Sequence, residues 1–189
     1  MKFCGCFSFV CHYFLMASLG VYLGSRFAGH SPLGSLFDFL SFTALFLGLL
    51  NAWLFSVWEN DETDKKIDII SNPERPLIKN LLTNEEWRNI KYIFLFLALN
   101  FAFLGGLYLL IFILLFLIMY HLYSTPPLRL KKIPGVSSLL IACNALIAVL
   151  AGFFMTAGTE NLRAFPMKYL FGIIIIFFWK FWRWREASV

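Results

Sequence analysis

Uncharged apolar runs that are long enough to cross a lipid bilayer are the feature that most constrains this chain. A membrane-spanning helix needs about 20 apolar residues to cross about 30 Å of hydrocarbon, and several runs here reach that length. Hydrophobic residues make up 60% of the 189 residues and charged residues only 14%, whereas a soluble domain has about 25% charged residues. The sequence therefore predicts an all-α, multi-pass integral membrane protein with one membrane domain over residues 1–189.

Six apolar segments are predicted to be transmembrane helices. They are residues 3–23, 36–57, 92–105, 106–123, 136–157 and 167–182. The third and fourth segments form one continuous apolar run. Gly105 and Gly106 are expected to divide this run by a tight turn, since glycine adopts backbone conformations that other residues avoid. A single long, tilted helix over the same run is the alternative.

The distribution of basic residues predicts the orientation in the membrane. With six helices, both termini and the loops 59–91 and 124–135 lie on one side. Of the 16 Lys and Arg residues, only Arg26, Arg163 and Lys168 fall on the other side. The positive-inside rule places the basic side in the cytoplasm, so the termini and these loops are predicted to be cytoplasmic. Topology thus explains the net charge of +5, and nothing in the sequence indicates binding to nucleic acid.

An acidic stripe follows the second apolar segment. Asn60, Asp64 and Asp68 are spaced four residues apart, so on a continuing helix they share one face, while Asp61 points about 100° away from Asn60. Mg²⁺ prefers oxygen ligands and commonly uses one or two carboxylates together with substrate phosphates. The stripe therefore suits a Mg²⁺-diphosphate site. The alternative is a solvated acidic loop that two neighbouring lysines neutralise.

A basic segment, residues 123–132, is predicted on the same side of the membrane. Two prolines at 126 and 127 end the fourth helix, and Arg129 and Lys131 follow them. These two side chains are expected to meet phosphate oxygens, and Asn144 in the fifth helix is expected to line the same pocket. The alternative is membrane anchoring by basic residues alone. Opposite charges on one membrane face are what a metal-diphosphate pocket requires.

The two charged segments together resemble those of the UbiA family of intramembrane prenyltransferases. Its first Asp-rich motif is similar to Asn60-Asp61-x-x-Asp64-x-x-x-Asp68 with the following Asn72-Pro73-Glu74-Arg75-Pro76-Leu77. Its second conserved loop is similar to Tyr123-Ser-x-Pro126-Pro127-x-Arg129-Leu130-Lys131. Order and approximate spacing of the two motifs agree with the family, and the resemblance covers residues 36–180.

The resemblance implies a fold, a reaction and a set of site residues. Family members are helical bundles, usually of nine membrane helices. They transfer a prenyl group from a prenyl diphosphate to an aromatic or other lipophilic acceptor with the help of Mg²⁺. By motif position, the metal ligands here are Asn60, Asp64, Asp68 and, less directly, Asp61, with Asp64 and Asp68 as the catalytic residues. The implied diphosphate-binding residues are Asn60, Arg75, Tyr123, Arg129 and Lys131.

The chain departs from the family pattern after the sixth apolar segment. A second Asp-rich motif belongs there, but Glu186 is the one acidic residue between position 179 and the last residue. The favoured interpretation is a truncated prenyltransferase. Two alternatives are a half-site completed by a partner chain or by self-association, and a non-catalytic membrane protein that retains the scaffold. A small transporter subunit with the acidic stripe as its ion site is a third.

Overall fold

A bundle of α-helices forms the part of the chain that the computed structural model describes, which is residues 4–29, 34–133 and 135–158 together with Ile175. For residues 4–10 the backbone alone is described. The helices are α1 (Cys4–Ala28), α2 (Leu36–Ser71), α3 (Asn84–Leu104), α4 (Leu107–Ser124) and α5 (Val136–Ala157), with a short 3-10 helix, η1 (Leu130–Lys132), before α5. The described residues contain no strand, in agreement with the predicted all-α class.

Five of the six predicted helices are found, and the sixth, residues 167–182, lies outside the described residues except for Ile175. Helix α5 has the predicted bounds. Within the described residues three helices, α2, α4 and α5, are long and apolar enough to cross a membrane. The described parts of α1 and α3 are not among them, so the count of six spans is not confirmed.

Helix α2 is 36 residues long and continues well past the predicted end at residue 57. It begins at a capping box, in which the Ser35 backbone N–H donates to Asp38 Oδ2 at 3.0 Å and the Asp38 N–H donates to Ser35 Oγ at 3.1 Å. No Pro interrupts it, and it ends at Ser71, with Asn72 as its C-cap directly before Pro73. A span needs about 20 residues, so the last third of α2 carries the acidic stripe beyond the apolar part.

Helix α3 begins at Asn84, eight positions before the predicted start at residue 92. Thr83 and Glu86 form a second capping box, which satisfies backbone donors that a helix start otherwise leaves unpaired. The predicted turn between α3 and α4 is confirmed, since Gly106 has a φ of 98°, a conformation that favours glycine. The alternative of one long helix is therefore wrong.

Small residues bring α1 and α5 into close contact. A Cβ placed on Gly20 would lie 2.0 Å from the Val149 carbonyl oxygen, and one on Gly152 would lie 2.3 Å from the Ala17 oxygen. The two helices are parallel, since Gly20 meets Val149 and Gly24 meets Thr156 further along both. Both begin at the end of the bundle where α2 ends. The core around them is apolar and includes the fully buried Phe116 of α4.

Candidate functional site

Charged side chains gather at one end of the bundle, which we call the charged end. Three segments contribute to it: the last third of α2, the loop 72–83, and the segment 121–132 that contains the end of α4 and η1. Because α2 continues as a helix, Asn60, Asp64 and Asp68 stay on one face. The prolines at 126 and 127 turn the chain so that η1 returns towards α2. The chain therefore brings the acidic and the basic segment together.

The first half of the site, which we call the cationic half, surrounds Asp64. Lys131 Nζ lies 2.6 Å from Asp64 Oδ2 and 2.7 Å from Asn60 Oδ1. Arg129 forms an ion pair with Asp64 Oδ1. Ser124, which is buried, donates its hydroxyl to Asn60 Oδ1 at 2.8 Å. Two cations thus face one carboxylate, so this half has an excess of positive charge.

The backbone at Arg129 is held in an unusual conformation. Its φ of 40° and ψ of 54° are left-handed, a region that non-glycine residues rarely adopt. The Arg129 N–H donates to the Thr125 oxygen at 3.0 Å, and the ion pair to Asp64 holds the side chain. Such conformations cost about 1–3 kcal/mol and cluster at functional sites, which agrees with a role for Arg129 in ligand binding.

The second half of the site, which we call the anionic half, surrounds Arg75. Arg75 forms an ion pair with Asp61, and its Nη1 lies 2.9 Å from Asp68 Oδ2. Asn72 Nδ2 donates to Asp68 Oδ1 at 3.0 Å. Here one cation faces two carboxylates, so negative charge is in excess.

Burial and charge both act on the titration of the site. Burial raises the pKa of Asp61 to about 6, and the adjacent Arg75 limits this rise, while Asp68 and Asp64 add to it. Burial lowers the pKa of Lys131, and the hydrogen bond to Asp64 opposes that effect. Both shifts reflect charges that are partly removed from water, as expected where a charged ligand replaces the solvent.

Several buried polar atoms at this end have no hydrogen-bond partner among the described residues. They include Asp68 Oδ2, Arg129 Nε and Thr125 Oγ1. Arg75 lies close to Asp68 Oδ2 but without hydrogen-bond geometry. Buried polar groups in proteins are normally paired, so each exception calls for an explanation. An anion would satisfy the arginine N–H and the threonine hydroxyl, and a cation would satisfy the carboxylate oxygen.

The oxygen donors of the site fit Mg²⁺ in kind. Asn60 Oδ1 and Asp64 Oδ2 face the same cation, the Lys131 ammonium, so two oxygens already converge on one point. Within the described residues no three carboxylate, His or Cys side chains form a metal-binding group. Two protein oxygens agree with the usual way in which Mg²⁺ is held, with substrate phosphates and waters as its other ligands.

The predicted site residues fall into two groups. Asn60, Asp64, Arg129 and Lys131 lie in the cationic half, and Asp61, Asp68 and Arg75 lie in the anionic half. The predicted metal ligands are thus divided between the two halves. Tyr123 packs with its ring centroid 6.1 Å from that of Tyr120. Asn144 is buried in α5, and its Oδ1 has no hydrogen-bond partner among the described residues.

Three further residues belong to the site but were not predicted. Ser124 contacts Asn60, Asn72 contacts Asp68, and Thr125 presents a buried hydroxyl. All three are inside the two motifs. Their short polar side chains have an ordinary role at helix ends and turns, so no pattern in the sequence separated a ligand contact from a capping contact.

Polar contacts on other faces of α2 join it to its neighbours. Lys91 of α3, which is buried, pairs with Glu62, and His121 Nδ1 of α4 lies 3.1 Å from Glu59 Oε1. The ring centroids of Trp58 and Trp87 are 4.5 Å apart. These contacts fix α3 and α4 against the charged third of α2 and so hold the site in place.

Fold and site together define a helical membrane protein with a two-part charged site at one end of its bundle. The family model described as the UbiA prenyltransferase family matches residues 13–184. This match covers most of the chain, and the chain belongs to the UbiA prenyltransferase family. No curated protein and no solved structure matches it.

Proposed function

We propose that this protein is a Mg²⁺-dependent prenyltransferase that transfers a prenyl group from a prenyl diphosphate to an aromatic or other lipophilic acceptor. The observation that carries the proposal is the pairing of Lys131 and Arg129 with Asp64 and Asn60 across the two motifs. Side-chain oxygens that suit a metal ion and cations that suit a phosphate lie together there, at the end of an apolar bundle. Family membership supports the same reaction class.

The cations of the site bind and orient the diphosphate. Arg129 and Lys131 are its main partners, and Arg75 contributes from the anionic half. Mg²⁺ would be held by the side-chain oxygens of Asn60, Asp64 and Asp68, and Asp61 lies beside them. When bound, Mg²⁺ supplies Lewis-acid stabilisation to the oxygens of the leaving diphosphate. Ser124 keeps Asn60 Oδ1 directed into the site by its hydrogen bond.

The apolar bundle receives the prenyl chain and the acceptor. Its core consists of aliphatic and aromatic side chains, such as Phe116 and Ile113. An apolar environment excludes water and so protects a carbocation-like allyl group from hydrolysis. The position of the charged site at one end of the bundle lets the diphosphate remain polar while its chain enters the apolar region.

Product formation tests the proposal directly. The purified chain in detergent would be incubated with radiolabelled prenyl diphosphates, Mg²⁺ and a panel of lipophilic aromatic acceptors, and the prenylated product would be extracted and counted. We expect a product that requires Mg²⁺ and that falls about 100-fold or more in Asp64→Asn, since charge stabilisation of this kind contributes two or more orders of magnitude. Product that forms without Mg²⁺ and in undiminished amount in Asp64→Asn would contradict the proposal.

We further propose that the charged end of the bundle faces the cytoplasm together with both termini. The basic residues of segment 121–132 support this by the positive-inside rule. In a cysteine-free background, a cysteine at Lys132 is expected to react with an impermeant thiol reagent from the cytoplasmic side. A cysteine at Leu107, which is exposed near the opposite end, is expected to react from the other side.

A further inference from the structure

We propose that the Lys131 ammonium holds the place of the divalent cation on Asn60 and Asp64 in the ligand-free protein, so that metal and diphosphate bind in a coupled way. This inference rests on the proposed function, because it concerns the same site. It assigns a new role to Lys131, which acts first as an internal counter-ion and then as a phosphate ligand.

The contacts of Lys131 carry the inference. Its Nζ lies 2.7 Å from Asn60 Oδ1, 2.6 Å from Asp64 Oδ2 and 3.5 Å from Ser124 Oγ. An ammonium surrounded by three oxygens uses the same donor atoms that a divalent cation requires. Both cations cannot occupy this position together, since like charges at short distance repel strongly in a partly buried site.

The alternative partner for the displaced ammonium is a phosphate. Arg129 Nε and Thr125 Oγ1 are buried and have no hydrogen-bond partner among the described residues, and both belong to the same turn as Lys131. An anion bound between them would lie in the cationic half. The anion would accept hydrogen bonds from the Lys131 ammonium once that group has left Asp64. The side chain of Lys131 is flexible enough to change partners, because its four-carbon stem rotates about several bonds.

Coupling of the two ligands follows from this exchange. Without an anion, a metal ion must displace Lys131 and leave its buried charge uncompensated, which is costly. Without a metal, a diphosphate that attracts Lys131 and Arg129 leaves Asp64 uncompensated. When both ligands bind, every charge has a partner. Each ligand therefore raises the affinity for the other, and by thermodynamic linkage the two factors are equal.

Metal binding without turnover tests the inference. Mn²⁺ is used in place of Mg²⁺, and free Mn²⁺ is measured by electron paramagnetic resonance with the purified full chain in detergent. Titrations are made with and without inorganic pyrophosphate, and corrected for the Mn²⁺-pyrophosphate complex in buffer. For the wild type we expect pyrophosphate to raise the affinity for Mn²⁺ about tenfold or more, in the range of typical coupling.

The variant Lys131→Gln separates the counter-ion role from simple ligand binding. Loss of the ammonium frees Asn60 and Asp64, so we expect the affinity for Mn²⁺ without pyrophosphate to rise about tenfold and the effect of pyrophosphate to shrink. Lys132→Gln is the matched control, because Lys132 is adjacent and exposed. It is expected to behave as the wild type does. Unchanged or weaker Mn²⁺ binding in Lys131→Gln would overturn the inference, as would an equal gain in Lys132→Gln.

A reciprocal measurement needs no variant. The affinity of the wild type for radiolabelled pyrophosphate is measured with Mn²⁺ and with a chelator. It is expected to rise with Mn²⁺ by the same factor by which pyrophosphate raises the affinity for Mn²⁺. Equal binding of pyrophosphate in both conditions would overturn the inference, and so would the absence of all Mn²⁺ binding. Neither readout involves prenyl transfer, so a protein that couples the ligands but forms no prenylated product would contradict the proposed function alone.

Discussion

Lys131 Nζ lies 2.6 Å from Asp64 Oδ2, although the two residues are 67 positions apart in the chain. This contact joins η1 to the charged third of α2 and makes one site from two motifs. Removal of Asp64 leaves Lys131 and Arg129 without their shared carboxylate, which is costly for partly buried charges, whereas removal of Lys131 leaves Asp64 with Arg129 alone. Substitutions at the site are therefore expected to affect both ligand binding and stability.

Thr125→Val is expected to weaken the binding of pyrophosphate and leave the affinity for metal nearly unchanged. Valine keeps the shape of the side chain but removes the buried hydroxyl, which has no hydrogen-bond partner among the described residues. A hydrogen bond to a charged group contributes about 1.5–3 kcal/mol, which corresponds to a loss of about tenfold or more in affinity. Isothermal titration calorimetry in the presence of Mn²⁺ measures the affinity for pyrophosphate. Ser41→Ala, far from the charged end, serves as a hydroxyl control, and equal losses in both variants would exclude a specific role for Thr125.

Arg75→Gln is expected to lower the free energy of unfolding by about 2 kcal/mol, because Asp61 and Asp68 lose their shared cation. The cost is smaller than that of breaking a fully buried pair, since the Arg75 side chain is 33% exposed. Denaturant titration in detergent measures the free energy of unfolding of the variant and the wild type. Lys79→Gln removes the cation of an exposed pair with Glu74 and is expected to leave the stability unchanged. Equal stability of Arg75→Gln and the wild type would mean that the anionic half does not depend on this arginine.

The raised pKa of Asp61, about 6, predicts a pH dependence of stability. The folded state holds its proton more tightly than the unfolded state does, where the pKa is near 3.8. The contribution of Asp61 to stability is therefore greatest at low pH and is lost as the pH rises from about 4 to about 6. Asp61→Asn is expected to remove this part of the slope. Thermal unfolding at a series of pH values tests it, and parallel profiles for the variant and the wild type would contradict the assignment.

Gly20→Ala is expected to lower the free energy of unfolding by about 2 kcal/mol, in the range found for overpacked cores. The added methyl group would meet the Val149 carbonyl oxygen at 2.0 Å, so α1 and α5 must move apart. Gly48→Ala is the matched control, because its nearest neighbour, the end of the Ile113 side chain, is 3.7 Å away. In Gly48→Ala, the better helix propensity of alanine is expected to raise the free energy of unfolding by up to about 1 kcal/mol. Similar losses in both variants would contradict the close α1–α5 contact.

Periodicity and turn residues were sufficient to predict most of the described fold. Helix α5 has its predicted bounds, and the turn at Gly105 and Gly106 was found from two adjacent glycines. The ends of α2 and α3 were less predictable, because polar residues continue both helices beyond their apolar runs. The capping box of Thr83 and Glu86 is a local signal for the start of α3 that the apolar pattern did not include.

The candidate site was predicted as a set of residues but not as an arrangement. Spacing on α2 placed Asn60, Asp64 and Asp68 on one face, and the family motif added Asp61. The predicted topology brought Arg129 and Lys131 to the same side of the membrane. The division of these carboxylates between two cations depends on how the loops fold back. Arg75 pairs with Asp61 and Asp68. This pairing depends on tertiary contacts of the loop 72–83, which no local sequence pattern specifies.

The most direct measurement of the proposed site is the Mg²⁺-dependent binding of a radiolabelled prenyl diphosphate to the purified 189-residue chain in detergent. Wild type, Asp64→Asn and the acidic control Glu85→Gln, an exposed residue of α3, are compared with and without Mg²⁺. The prediction is saturable binding that requires Mg²⁺, persists in Glu85→Gln and is lost in Asp64→Asn. Binding that is absent, or that is the same in all three proteins with and without Mg²⁺, would contradict a diphosphate site at the charged end of the bundle.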